Sequence, residues 1–349
     1  MKWFRRILLA VLVIALAGAG AWWLFPRPIS EALFRSLVSM QRLPADSSEP
    51  GLHVYLCGTG SPLPDPTRSG MCIGVVAGGR AFVIDPGEGG ARRLMTMGFP
   101  AGQIEAVFLS HLHSDHIDGL ANIILQSWIV GSRKEPLPVY GPKGVERVVE
   151  GVNTFFSIDS AFRTAHHGEE IAAPSGYGAT AHVVPLVPFK ISEIISEEDL
   201  KVSFTEVSHA PVHPAMALRI DHAGRSISFS GDTLYDPRFV KLSEGVDLMI
   251  HDAMQHWMIG AIEDQARTLA PDAVAPQILR DIVDYHASPE DAARAAQKAG
   301  AKALVLTHVA PALPSKLFYP AFMGDAPNIF DGPVTVAEDG MMFSYAPKP

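Results

Sequence analysis

His111, His113, Asp115 and His116 put four metal-ligating side chains into six consecutive positions, directly after an apolar stretch. Imidazole nitrogen and carboxylate oxygen suit zinc. The spacing of His111 and His113 aims both side chains the same way if the segment is extended. Asp115 and His116 then start the next helix and face elsewhere. One zinc takes three or four ligands, and these four residues cannot all converge on one ion. The pattern therefore points to two ions, with the missing ligands supplied by later loops. A lone histidine is usually a surface or core residue, but that reading does not cover three histidines and an aspartate in one loop.

The elements that must hold such a loop follow from hydrophobic pattern and turn residues. Strands are expected at Leu52–Cys57, Cys72–Ala77, Arg80–Ile84, Glu105–Leu109 and Leu137–Tyr140, and helices at Ile117–Trp128 and Lys143–Phe156. The second half repeats the rhythm, with strands at Val202–Val207, Ala217–Ile220, Ser226–Phe229, Leu248–Ile250 and Ala303–Leu306. Between the last two, Ser288, Pro289 and Asp291 form a helix start of the capping-box type, and Gly300 ends that helix. Histidines and aspartates fall just beyond strand ends: Asp85, His111, His209, Asp232, His251-Asp252 and His308. Rigid strands presenting loop residues are how layered α/β folds build sites. Two mixed sheets packed face to face, with helices outside, are expected.

The N-terminus is of a different kind. Lys2, Arg5 and Arg6 precede an uncharged run from Ile7 to Pro26, long enough as a helix to cross a bilayer, with Trp22 and Trp23 near its far end. Residues 1–27 are read as a signal anchor, 28–50 as a tether with a short amphipathic helix at Ser30–Leu43 and a loop at Pro44–Pro50, and 51–349 as the catalytic domain. A cleaved signal peptide competes, with Ala19-Gly20-Ala21 as a small-x-small site. Either reading exports the domain; the anchor reading leaves it inner-membrane-anchored, on the periplasmic or extracellular side. The 349-residue chain is 48% hydrophobic and 19% charged, with a net charge of −9. That balance fits a globular enzyme and, with no long Lys/Arg run, argues against nucleic acid as a partner. Cys57 and Cys72 lie in strand-like stretches and are expected as two buried thiols, a disulfide being the alternative in an oxidising compartment.

The segment His111-x-His113-x-Asp115-His116 resembles the signature of the metallo-β-lactamase superfamily. The resemblance runs from Leu52 to Ser344 and is closest to the ribonuclease Z and arylsulfatase-like branch. Its marks are Leu56-Cys57-Gly58-Thr59-Gly60-Ser61-Pro62, Val83-Ile84-Asp85-Pro86-Gly87-Glu88-Gly89, Tyr140-Gly141-Pro142-Lys143-Gly144, Ser230-Gly231-Asp232-Thr233 and Leu306-Thr307-His308. It implies a four-layer αββα sandwich, here preceded by a transmembrane helix. It also implies two zinc ions, with manganese or iron as alternatives in the second site. His111, His113 and His209 would bind the first ion, Asp115, His116 and His308 the second, and Asp232 both. Asp85 would brace the ligand loop. His213 competes with His209 as third ligand. Asp115, Asp252 and His286 are counted as catalytic, the last two as the resemblance's proton-donating pair. Asp252 stands where the family has a glutamate, and Ala287-Ser288 where it has Ser-Thr.

A bridging water made acidic by two ions would attack the ester. The expected substrate is a small ester, an aryl sulfate or phosphodiester, because the family's basic RNA-binding arm has no counterpart between Lys143 and Lys201. Phe155, Phe156 and Phe162 in that stretch are read either as walls of an aryl pocket or as core. A ribonuclease Z-like endonuclease and a lactonase or β-lactamase are the alternatives. The resemblance leaves a homodimer open. The sequence does not assign His166, His167 or the segment Pro311–Phe330.

Overall fold

A computed structural model describes residues 2–40, 50–270 and 272–348. The chain divides into two compact units, residues 1–45 and 46–349. The first holds two helices, Lys2–Leu24 and Pro26–Met40. The second of these begins earlier than the expected Ser30, and residues 41–49, with the end of that expected helix and most of the expected loop, lie outside the described residues.

Among its described residues the second unit contains fourteen strands: β1 Leu52–Gly58, β2 Cys72–Ala77, β3 Arg80–Ile84, β4 Ile104–Phe108, β5 Leu137–Gly141, β6 Ala179–Val183, β7 Ser192–Ser196, β8 Leu200–His209, β9 Val212–His222, β10 Arg225–Phe229, β11 Leu248–Met254, β12 Leu304–Ala310, β13 Val334–Val336 and β14 Met342–Tyr345. They form two seven-stranded sheets, in the orders β14-β1-β2-β3-β4-β5-β6 and β13-β12-β11-β10-β9-β8-β7. Both sheets follow one plan. Four antiparallel strands, β14-β1-β2-β3 or β7-β8-β9-β10, continue into parallel neighbours from β3 or β10 onward.

Burial on both faces explains why the strands read as apolar runs. In β1, Val54 and Leu56 point between the sheets, where they meet Phe204, Leu218 and Ile250 from the other sheet. Tyr55 and Cys57 point outward, into a core shared with Leu94 and Ile123 from the helices Gly90–Thr96 and Leu120–Gly131. On the outer face of the second sheet, Ala217 and Leu306 pack against Phe239 and the alanines of the helix Pro289–Ala299. The layers are helix, sheet, sheet, helix. Ser288 and Asp291 form the capping box of that last helix, and Gly300 closes it at φ 65°.

Several elements differ from their expected form. The helix expected at Ile117–Trp128 is two helices, Ser114–Ile117 and Leu120–Gly131, split at Gly119. A β-carbon on Gly119 would lie 2.4 Å from the Gly87 carbonyl oxygen, so the chain turns against the Asp85–Gly87 loop there. Phe155 and Phe162 are 75% and 67% exposed and belong to no core. The segment Pro311–Phe330 is a packed layer, with Phe322, Ala326 and Phe330 buried beside the helix Pro289–Ala299.

Cys57 and Cys72 form a disulfide, which corrects the expectation of two thiols. The strands β1 and β2 are antiparallel neighbours, and an irregularity between Leu56 and Gly58 brings Cys57 alongside Cys72, with Cα atoms 4.9 Å apart. Strand pairing decides this, and a sequence does not show it. The bond closes a loop with a sequence separation of 15, for which chain-entropy arguments give about 3 kcal/mol. Denaturant titration of the Cys57→Ala/Cys72→Ala protein should show a stability loss of that order. Coincident curves for the two proteins would refute it.

Candidate metal centre

Asp85 follows β3, His111 lies three residues past β4, His209 ends β8, and Asp232 lies three residues past β10. His251 and Asp252 fall within β11, and His308 within β12, because both strands run longer than expected. Parallel neighbours end on the same side, so loops from both sheets meet at one edge of the sandwich. Two residues there carry backbone strain. Asp85 and His308 have φ of 46° and 51°, a left-handed conformation that costs on the order of 1 kcal/mol and persists only where the surroundings enforce it. Gly231, at φ 60°, sets up Asp232. A β-carbon there would come within 3.0 Å of Ser110 Cβ and the Met216 carbonyl oxygen, so glycine is required.

Asp232 is the centre of the cluster. Its Oδ2 lies 3.7 Å from His111 Nε2, 3.2 Å from His116 Nε2, 3.9 Å from His209 Nε2, 3.3 Å from His308 Nε2 and 4.0 Å from His286 Nδ1. His113 Nδ1 faces His209 Nε2 at 3.3 Å, and Asp115 Oδ2 lies 3.1 Å from His308 Nε2 and 3.4 Å from His116 Nε2. Four groups of ligand atoms within 4.8 Å of one another result among the described residues: the two main ones are His111, His113, His209 and Asp232, and Asp115, His116 and His308, and the others are Asp85 with His111 and His116, and Asp232 with His286 and His308. The structure thus brings together all seven residues expected as ligands. His213 stands apart: its side chain is 72% exposed and pairs with Glu206 at 3.4 Å. His166 and His167 are exposed at the end of the helix Ser157–His167 and join no such group among the described residues.

The donor set fits metal cations. His111 Nε2, His116 Nε2 and Asp232 Oδ1 are buried without a hydrogen-bond partner. Each such atom costs about 1–3 kcal/mol unless something satisfies it. Burial makes the imidazoles of His111, His113 and His209 weaker bases than usual, leaving lone pairs free for an ion. Burial acts the same way on His116 and His308. There the carboxylates, Asp232 foremost, outweigh it and hold both above the usual histidine range, a field that favours any cation. Burial also opposes ionisation of Asp115 and Asp232, but His116 and His308 hold both carboxyls below the usual range.

A surrounding layer of hydrogen bonds aims the ligands. Asp85 Oδ2 holds His116 Nδ1 at 2.7 Å, Asp85 Oδ1 accepts from the Ser110 amide, and the Ser110 hydroxyl lies 3.1 Å from His111 Nδ1. His209 Nδ1 meets the Tyr285 carbonyl oxygen at 3.1 Å, which turns Nε2 toward the cluster. Sequence reasoning missed both Ser110 and Tyr285. Ser110 had a visible signal, its place between a strand and the histidines. Tyr285 acts through its backbone and had none. Buried beside the cluster, His286 Nδ1 lies 3.1 Å from Asp252 Oδ2, and His251 Nδ1 lies 2.9 Å from Asp252 Oδ1. Those two histidines keep the buried Asp252 carboxyl below its usual range against the effect of burial.

Residues 80–309 match the beta-lactamase superfamily domain. Ribonuclease Z of Mycolicibacterium gilvum is 34% identical over 269 residues, covering 75% of this chain and 85% of that protein. Among solved structures, the metallo-beta-lactamase fold protein YhfI of Bacillus subtilis aligns with a TM-score of 0.60 at 21% identity, over 84% of this chain and all of that one. Human tRNase Z, short form, aligns at 0.56 with 24% identity, over 84% and 98%. These likenesses overturn the expectation that nucleic acid is no partner and that the substrate is a small-molecule ester, since the relatives by sequence are ribonucleases. Net charge averages over the whole surface and is silent about the groove beside a metal centre. The fold implies a dinuclear metal site. The chain belongs to the beta-lactamase superfamily, in its ribonuclease Z branch, and is a metal-dependent hydrolase of ester bonds.

Proposed function

We propose that this protein is a dinuclear, zinc-dependent phosphodiesterase that cleaves RNA, held at a membrane by its N-terminal helix with the catalytic unit exported. The observation that carries the chemistry is Asp232 Oδ2 lying within 4.0 Å of five imidazole nitrogens. His111, His113 and His209 would hold one ion, Asp115, His116 and His308 the other, and Asp232 both. When bound, the ions supply positive charge against the phosphodiester oxygens and acidify the attacking water. The protein's own groups do the rest. Asp252 accepts from His286 Nδ1, fixing the ring so that its other nitrogen delivers a proton to the leaving oxygen. Asp85 and the Tyr285 carbonyl keep His116 and His209 in the tautomers that present Nε2.

Asp85→Asn should therefore weaken metal binding about 10–100-fold without unfolding the protein. Competition with a chelator measures this, and unchanged affinity would remove the bracing role.

The location rests on three features. The 22 residues Trp3–Leu24 form an apolar helix with no buried part. Leu33, Phe34, Leu37 and Val38 make an exposed apolar stripe on the helix Pro26–Met40, suited to lying on a membrane surface. The Cys57–Cys72 disulfide suits an oxidising compartment. Fractionation should find the intact chain in the membrane pellet, whereas a soluble form starting near Trp22 would establish a cleaved signal instead.

The activity is tested on the zinc-loaded full chain in detergent, with His113→Ala as blank. We expect hydrolysis of a structured RNA and of an aryl phosphodiester, and a much slower rate on the matching aryl sulfate. Preference for the sulfate, or intact RNA at full metal occupancy, would overturn the reading.

A further inference from the structure

A cavity of about 600 Å³ opens beside the ligand loops, between the β8 end and the segment after Asp232. Its walls include Phe189, Ile191, Ser208, Tyr235, Arg238 and Lys241. Ser208 adjoins His209, and its amide donates to Asp236 Oδ2 at 3.0 Å, tying the cavity wall to both ligand segments. Phe189 is 81% exposed and has φ 60°. A bulky aromatic in the left-handed region, displayed to solvent, is a costly arrangement. The Arg238 guanidinium carbon lies 5.7 Å from the centre of its ring and is itself held by Asp236 and Glu206. Tyr235 is 38% exposed and Ile191 42%. The exposed Lys241 side chain makes no hydrogen bond or ion pair among the described residues.

The opposite flank has another character. A cavity of about 520 Å³ reaches Asp115 and is lined by Asp65, Glu88 and Asp118, with Arg68 already engaged by Asp65 and Tyr319. A phosphate on that side meets several carboxylates, while on the His209 side the lining carboxylate, Asp236, is paired with Arg238, and an ammonium and an aromatic face remain.

We propose that the Phe189–Tyr235–Lys241 cavity is a nucleotide-binding subsite: a base of the substrate strand stacks on Phe189, and Lys241 meets the adjoining phosphate. The charged strand then leaves the metal centre over His209 and not over Asp115. The subsite rests on the phosphodiesterase reading above and names where its substrate lies. Stacking on one aromatic face is sequence-tolerant, so any base serves.

The test separates binding from chemistry. In the full-length His286→Ala protein, in which cleavage of RNA should be slowed about 10²–10⁴-fold, fluorescence anisotropy reads the affinity for labelled tetrauridylate. Adding Phe189→Ala should weaken binding about tenfold, and Phe189→Trp in its place should restore it. Adding Lys241→Gln should lower the slope of log affinity against log salt by about 0.7, one phosphate contact on a single strand. Parent-like affinity in both Phe189→Ala and Lys241→Gln would overturn the subsite. Hydrolysis of methyl 4-nitrophenyl phosphate, which has no base, should be equal in wild type and Phe189→Ala. A loss of that rate in Phe189→Ala would assign the residue to the fold of the site and overturn its stacking role. No rate in wild type would sink the phosphodiesterase reading, and the binding data would still decide the subsite.

Discussion

Asp232→Asn is expected to strip the protein of bound divalent metal and to lower turnover by about three orders of magnitude. The substitution keeps the shape and removes the charge. In the native site one carboxylate oxygen faces five imidazole nitrogens at 3.2–4.0 Å, and both main groups of ligand atoms depend on that negative charge. Bound cations contribute several kcal/mol of charge stabilisation at the reacting phosphate, and each 1.36 kcal/mol is a factor of ten in rate. Metal content by elemental analysis and kcat on an aryl phosphodiester are the two readouts. A thermal melt shows whether the fold survives. Two ions per chain with activity within tenfold of wild type would show that Asp232 does not join the ions.

The second large effect is at His286. His286→Ala should lower kcat on a substrate with an alkoxide leaving group by about 10²–10⁴-fold, the usual worth of a placed general acid. It should cost far less on a nitrophenyl ester, whose leaving group needs no proton. Metal content should stay unchanged. That last readout matters because His286 also lies within ligand reach of Asp232 and His308. Loss of one ion in His286→Ala would make His286 a ligand and refute the donor role. Asp252→Asn should show the same dependence on leaving group with a smaller loss, because it perturbs His286 without removing it. The shorter carboxylate at this position still reaches His286 at 3.1 Å.

Much of this site was legible because its residues sit at strand ends. An apolar strand buried on both faces is an unbroken hydrophobic run, and the first polar residue after it marks where the chain leaves the sandwich. Asp85 is that residue, and His111, His209 and Asp232 stand within three residues of such a strand end; the helix from Ser288 to Gly300 is marked by its caps. Phe155 and Phe162 were misjudged because an aromatic on a helix implies burial only if another element covers it, and covering is a tertiary fact. The excluded nucleic acid failed for a related reason, since a net charge of −9 does not say where the charges lie.

The sequence by itself determined the donor chemistry, the strands that carry it and the layers they build, but not the edge strands β6, β7, β13 and β14. These depend on residue type and on local periodicity, both carried by neighbours in the chain. Only the tertiary structure decided which histidine from the Ser208–Ala215 segment enters the cluster, that Cys57 meets Cys72, that the Tyr285 carbonyl aims His209, and that Phe189 stands over Arg238. Each of these is a meeting of residues far apart in the chain, set by sheet register and loop path, and spacing along the chain carries no distance across it.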